Sequence, residues 1–227
     1  LRKVLLPGHF DDMARIIDSR TGPTFVHENK LMERYGSTTA GIDEAGRGPW
    51  AGPVVAAAVI LNAAHVPDGL NDSKKLSARA RESLFTQIMA QAHVGVGIAD
   101  VARIDHDNIL QATLWAMGQA CKALPKAPAA ALIDGNRCPA LPCPAEALIG
   151  GDALSLSIAA ASIIAKVTRD RIMVELAKSH PGYAWERNKG YGTRDHADGL
   201  KRLGVTPHHR RSFKPIQIIL SKVAGED

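Results

Sequence analysis

Two adjacent carboxylates, Asp43 and Glu44, end an apolar approach from Thr38 to Ile42, and a Gly46-Arg47-Gly48 turn follows almost at once. The next stretch, Val54 to Leu61, reads as a buried strand, so the acids sit where a strand emerges into a tight turn. Carboxylates at a strand end are easily aimed at a metal ion, and glycines let a backbone approach a polymer closely. An Asp-Glu pair alone is common and usually solvated, so the weight falls on what the rest of the chain adds.

Further elements follow the same logic of period and punctuation. Ala92 to Ala99 is a strand in which Val94, Val96 and Ile98 alternate with His93, Gly95 and Gly97. Ser77 caps a helix from Ala78 to about Ala90, and Asp105 caps another through Leu110, Leu114, Met117, Cys121 and Leu124, stopped by Pro125 and Pro128. Ala129 to Ile133 is a short buried strand ending at Asp134, and Glu146 to Ile149 is another, leading through Gly150-Gly151 to Asp152. A long helix spans Leu156 to Ser179 with one apolar stripe, and a last helix spans Thr193 to Leu203 with Gly204 as its C-cap. Strands first, then strand–helix alternation, predict an α/β fold with a mixed sheet flanked by helices.

Three strand ends therefore carry acids: Asp43-Glu44, Asp134 and Asp152. Hard oxygen ligands converging from separate elements suit Mg²⁺ or Mn²⁺, and two such ions could share a carboxylate during hydrolysis of a phosphodiester. Unpaired carboxylates repel in a low-dielectric site, so a cation is expected among them. Periodicity by itself does not make these strands neighbours.

Charge points to the same class of partner. Residues 166–222 hold 13 Lys/Arg and 5 Asp/Glu, a difference of +8, whereas residues 1–165 hold 15 and 16, a difference of −1. A basic C-terminal third beside a nearly neutral body suggests a phosphate-backbone footprint. No run approaches eighteen apolar residues, which argues against a membrane span, and no secretory signal pattern is evident. Three cysteines, an odd number, fit a reducing cytoplasm.

Gly41-Ile42-Asp43-Glu44-Ala45-Gly46-Arg47-Gly48-Pro49 resembles the signature of bacterial ribonuclease HII, the type 2 ribonucleases H. The resemblance continues in order through Asn71 to Ser77, Ile133 to Asn136, Gly151-Asp152, Ala159 to Asp170, Lys189 to Thr193 and His209 to Phe213, covering about residues 38–215. It implies a ribonuclease H-like fold, with a mixed five-stranded sheet flanked by helices and a helical C-terminal part. Residues 38–215 would form the catalytic domain, 1–37 a variable N-terminal leader and 216–227 a C-terminal tail. It implies a cytoplasmic, monomeric endonuclease for RNA–DNA hybrids and for single ribonucleotides in duplex DNA. The products would carry 5′-phosphate and 3′-hydroxyl ends.

By the same resemblance the metal-site acids are Asp43, Glu44, Asp134 and Asp152, holding Mg²⁺ or Mn²⁺ as two ions once substrate is bound. Gly46, Arg47 and Gly48 would grip the ribonucleotide 2′-hydroxyl and adjoining phosphates, and Tyr191 would pack on the following deoxyribose. Many relatives have lysine where this chain has Gly150. The short leader, Arg47 and Asp152 favour this family over ribonuclease HIII.

Other residues are weighed singly. Lys74 and Lys75 follow a turn and are candidates for backbone phosphates, as are Lys166 and Arg169 on the long helix. Asp170, between Arg169 and Arg171, reads as a structural ion pair. Cys138 and Cys143 lack a second ligand pair for zinc, His208-His209 reads as packing or surface, and Trp115 as core. Trp50 and Trp185 border the proposed site, and no sliding-clamp peptide is evident after Phe213. A nuclease of the same broad fold acting on DNA, and a silent hybrid-binding module, are the rival readings. The Gly-Arg-Gly and Tyr191 blocks oppose the first, and four intact acids oppose the second.

Overall fold

The computed structural model describes residues 22–224. Five strands, β1 (Thr39–Ala45), β2 (Val54–Ile60), β3 (His93–Ala99), β4 (Ala130–Asp134) and β5 (Ala145–Leu148), form one sheet in the order β3-β2-β1-β4-β5. β1, β2 and β3 run antiparallel in succession, whereas β4 lies parallel to β1 and β5 parallel to β4. The mixed sheet expected from the order of elements is thus realised.

Helices α2 (Ala78–Gln91) and α4 (Leu156–Ser179) cover one face, and α3 (Val101–Lys122) covers the other. Alternation divides β2 between them: Val54, Ala56, Ala58 and Ile60 pack toward α3, while Ala57 and Val59 pack toward α2 and α4. Small residues let backbones meet. A Cβ on Gly41 of β1 would lie 2.1 Å from the Ser157 carbonyl carbon of α4, and one on Gly97 of β3 would lie 2.1 Å from the Ala116 carbonyl oxygen of α3.

The Ser77 and Gly204 caps stand as expected: Ser77 Oγ accepts from Ala80 N, while Thr193, expected as the first helical residue, is the N-cap of α6 (Arg194–Leu203), its Oγ1 accepting from His196 N. Four other expectations need correction. Helix α3 begins at Val101, ahead of the expected cap Asp105, because Asp100 accepts from Arg103 N and Asn108 recaps a break at φ 68°, ψ 165°. Asp105 instead accepts from Arg211 N, Ser212 N and Ser212 Oγ. Trp115 is 36% exposed, with the Arg103 guanidinium 4.1 Å over its ring, so it is not core.

The leader and tail are the other two. Helix α1 (Val26–Tyr35) belongs to the fold: Leu31 is buried against Leu132 and Ile158. Glu28, fully buried, accepts from Ser155 Oγ and Ser157 N at the start of α4. Thr24 bonds Leu154 and Leu156 through its backbone. The leader residues 1–21, Pro7 and Gly8 among them, lie outside the described residues. At the other end, Lys214–Ala224 is helix α7, not a tail, and its Ile216 is buried. It joins Met173 and the short helix α5 (Trp185–Asn188) in a C-terminal cluster around Trp185 and Tyr183. No helix among the described residues is long and apolar enough to cross a membrane.

Candidate active site

Strand register brings the acids together. Ile42 of β1 pairs with Ile133 of parallel β4, so Asp43 and Asp134 leave adjacent strands at the same end of the sheet. Beyond β5, Gly150 takes a left-handed turn at φ 66°, ψ 32°, and the Gly151–Ala153 turn carries Asp152 back over that end. Gly151 N donates to Asp134 Oδ1 at 2.7 Å, tying the two acid-bearing segments. A side chain at position 150 would have to take this left-handed conformation, whereas glycine takes it freely.

Their electrostatics are those of crowded carboxylates. Asp43 is 5% exposed; its burial first, then the charges of Glu44, Asp134 and Asp152, push its carboxyl well above the ordinary range. Burial also raises Glu44, against the pull of Arg47, whose Nη1 lies 3.5 Å from Glu44 Oε1. Asp152 is raised by burial and then by the charges of Asp72 and Asp134. Burial opposes the charge on Lys74, yet Asp72 and Asp152 outweigh it and hold its ammonium above the usual value; Lys74 Nζ is 3.9 Å from Asp152 Oδ2.

Four oxygen-donor side chains, three of them (Asp43, Glu44 and Asp152) with raised pKa values, fit a hard divalent cation, whose charge would oppose those shifts. As placed, no three acid, histidine or cysteine groups among the described residues close around a single point. Asp43 Oδ1 and Asp134 Oδ1 are each turned to a backbone N–H, at 2.7 Å in both cases. The donor set, four carboxylates gathered at one end of the sheet, has the chemistry that fits such an ion.

A cleft of about 270 Å³ opens beside Asp43 and Glu44, walled by the Gly46-Arg47-Gly48 turn, Lys74, Lys166 and Tyr191. A narrower continuation runs from Glu44 and Arg47 past Asp134, Asn136 and Arg137. A larger groove along α3, about 550 Å³, carries a single acid, Asp107, already paired with Arg103 at 2.6 Å, and offers no cation site. The Tyr191 ring is 46% exposed and faces the turn: a Cβ on Gly48 would lie 3.5 Å from Tyr191 Cε1.

Not every expected contact is free to reach a substrate. Lys75 is exposed but does not line the cleft. Lys166 lines it while pairing with Asp170 at 2.8 Å, so the Asp170 ion pair exists with Lys166, not with the flanking arginines. Arg169 must be corrected: it is 1% exposed, and its guanidinium is spent on the Pro53, Lys189 and Ala51 carbonyls. Burial lowers its pKa to about 10, and it braces the site from behind. Asp72, not among the expected site residues, also belongs to the site through its charge on Asp152. Its Oδ1 accepts from Lys74 N at 2.9 Å, while Ser73 Oγ accepts from Ser162 Oγ at 2.7 Å, fixing Lys74 to α4.

Behind Tyr191 lies a fully buried histidine pair. Trp185 Nε1 donates to His196 Nε2, and His196 Nδ1 lies 2.9 Å from the Tyr191 carbonyl, so His196 is neutral with its proton on Nδ1. His209 Nδ1 accepts from Thr206 N, leaving Nε2–H to meet His196 Nε2 at 3.0 Å. His208-His209 is therefore packing, as expected. Burial lowers both rings of the pair, His209 to about 3. The unfolded chain then binds more protons below pH about 6.5, so this contribution is complete above that pH and is lost as pH falls toward 3.

Unfolding free energies from urea titration should accordingly lose a histidine contribution between pH 7 and 5, of up to roughly 1.4 kcal/mol per pH unit per histidine. The raised acids act in the opposite direction, so the histidine share is read as the difference from His209→Phe. Parallel profiles for the two proteins would refute it.

The sheet order, the acids at its strand ends and the adjoining cleft define a nuclease of the ribonuclease H-like class. The ribonuclease HII family model matches residues 40–216. Ribonuclease HII of Paramagnetospirillum magneticum is 59% identical over 190 residues, covering 82% of this chain and 94% of that protein. That of Azorhizobium caulinodans is 53% identical over 204 residues, covering 90% and 79%. Among solved structures, ribonuclease H2 from Pyrococcus horikoshii OT3 superposes with a TM-score of 0.71 at 25% identity, covering 83% of this chain and 99% of that one. The chain belongs to the ribonuclease HII family and is a ribonuclease H enzyme, a family of endonucleases acting on RNA–DNA hybrids.

Proposed function

We propose that this enzyme cuts both long RNA–DNA hybrids and single ribonucleotides embedded in duplex DNA, leaving 5′-phosphate and 3′-hydroxyl ends. The observation that carries this reading is the placement of the Gly46-Arg47-Gly48 turn and the exposed Tyr191 ring on one cleft beside Asp43 and Glu44. A 2′-hydroxyl is what separates RNA from DNA at one position, and a polar turn with closely approaching backbone suits it. A flat ring opposite suits a sugar that lacks the hydroxyl. Together they read a ribonucleotide followed by a deoxyribonucleotide.

Asp43, Glu44, Asp134 and Asp152 would hold the divalent cations, Mg²⁺ or Mn²⁺ and two in number with substrate present. When bound, such ions supply Lewis-acid polarisation of the scissile phosphate and a more acidic water. Arg47 orients the sugar and its neighbouring phosphate, and Lys74 contributes positive charge at the mouth beside Asp152. Lys166 and Lys75 extend that charge along the backbone path. The enzyme would act as a cytoplasmic monomer in primer removal and in the repair of misincorporated ribonucleotides.

Tyr191→Ala tests this most directly. Loss of an aromatic packing contact, worth about 1–3 kcal/mol in single-strand binders, should lower kcat/KM about tenfold at a lone ribonucleotide. The interior of a long hybrid should be affected less, because the next sugar there carries a 2′-hydroxyl. Arg47→Ala should reduce cleavage of both substrates. Equal losses for Tyr191→Ala on the two substrates would remove it as the junction sensor.

A further inference from the structure

The loop joining β1 to β2 turns five carbonyls inward onto two buried guanidinium groups. Arg210, fully buried, donates from Nε to Gly52 O (2.9 Å), from Nη1 to Arg47 O (2.9 Å), and from Nη2 to Gly46 O (2.6 Å) and Pro53 O (3.1 Å). Arg169 donates to Pro53 O and Ala51 O of the same loop, and to Lys189 O two residues before Tyr191. Neither arginine has a carboxylate within ion-pair distance among the described residues; their guanidinium hydrogen bonds go to backbone carbonyls. The fit is close: a Cβ on Gly46, at φ 99°, would fall 1.9 Å from Arg169 Nε.

In a trans peptide the N–H lies opposite the C=O. With the Gly46 and Arg47 carbonyls held on Arg210, the next two amides, Arg47 N–H and Gly48 N–H, face away from it, onto the side of the turn that lines the cleft. Neither amide has a hydrogen-bond partner among the described residues. Two successive N–H groups facing one way form an anion-binding concavity, and two buried cations behind them raise its potential. Only a planar fork with five donors can hold carbonyls at this spread; a lysine ammonium cannot span them.

We propose that Arg210 is a positioning residue for substrate recognition: it sets the Arg47 and Gly48 amides to receive a phosphate next to the ribonucleotide. Arg169, through Lys189 O, locks that turn to the Tyr191 segment, so phosphate grip and sugar packing move as one body. The inference rests on the reading that this turn meets the substrate.

The test replaces each phosphate flanking a single ribonucleotide, one at a time, by uncharged methylphosphonate. The wild-type enzyme and Arg210→Lys, its fold checked by circular dichroism, are compared with Mg²⁺ present. The wild type should lose about tenfold or more in kcat/KM at one flanking position, as befits a charge-assisted hydrogen bond. Arg210→Lys should show a raised KM on the unmodified substrate with a smaller change in kcat, and less than about threefold sensitivity at that position, because the contact is already gone.

Should Arg210→Lys fail to fold, Asp105→Asn loosens the same segment from outside, through Arg211 and Ser212, and should blunt the sensitivity in the same direction. Undiminished sensitivity in a folded variant, however poor its activity, would make Arg210 merely structural and overturn the proposal. A wild-type enzyme insensitive at every flanking phosphate overturns it too. If that enzyme also cuts DNA without ribonucleotides equally well, the underlying reading of the turn has failed, not the assignment to Arg210 alone.

Discussion

Asp134→Asn, and likewise Asp43→Asn, should lower cleavage of an RNA–DNA hybrid on the order of 10³-fold or more while leaving the protein folded. The substitution is conservative in space: Asn Oδ1 can still accept from Gly151 N, or from Glu44 N in the case of Asp43. What disappears is a negative charge from a cluster in which Asp134 raises the pKa of Asp43, Glu44 and Asp152. Asp134→Asn should therefore also melt no lower than the wild type in metal-free buffer, because a repulsion is relieved. Single-turnover kinetics with saturating Mg²⁺ and a thermal scan in chelator make the comparison. Near-wild-type turnover would remove Asp134 from the catalytic set.

Gly41→Ala should be the most damaging change to stability, about 3 kcal/mol or more, as expected when a core position is overpacked. The added methyl would meet backbone atoms, Ser157 C at 2.1 Å and Ile158 N at 2.3 Å, which no side-chain rotamer can move aside. Helix α4 would have to lift from β1, loosening the Ser73–Ser162 contact that fixes the Lys74 turn. Gly118→Ala is the counterpart within α3, where the new Cβ would lie 3.5 Å from its nearest neighbour. Replacing glycine by alanine in a helix interior favours the helix by about 0.5–1 kcal/mol, so that variant should be neutral or more stable. Equal urea midpoints for Gly41→Ala and the wild type would show that the two backbones can part freely.

Much of this arrangement can be read in the chain because each strand is a short apolar run and each acid follows one. The period-2 pattern of β3 and the caps Ser77 and Gly204 are local signals, and the structure keeps them. Which strands lie side by side is not local: Asp43 and Asp134 meet only because β1 accepts β4 on its free edge, and the ordered family blocks, not periodicity, pointed there. Helix α1 escaped notice because Val-His-Glu-Asn-Lys-Leu-Met-Glu-Arg-Tyr is polar nearly throughout, and its key contact is made by a buried glutamate. Lys166 and Arg169 look equivalent on a helix of known period. Both border the cleft, but only the packed loop reveals that the Arg169 guanidinium is consumed by carbonyls. Trp115 misled through its size: it follows Leu114 on α3 and so points about a quarter-turn away from the stripe.

The buried Glu28 bears on how such an enzyme is divided into modules. The family model begins at residue 40, yet the carboxylate that closes the start of α4 comes from residue 28, and Leu31 seals Leu132 and Ile158 beside it. A carboxylate at a helix start satisfies free amides and opposes the positive end of the helix dipole. Trimming the gene to the shared segment would strip that lid from the helix that carries Ser162 and Lys166, and would lay bare an apolar seam beside β4. The sensible expression boundary lies ahead of Thr24, outside the segment that the family model spans.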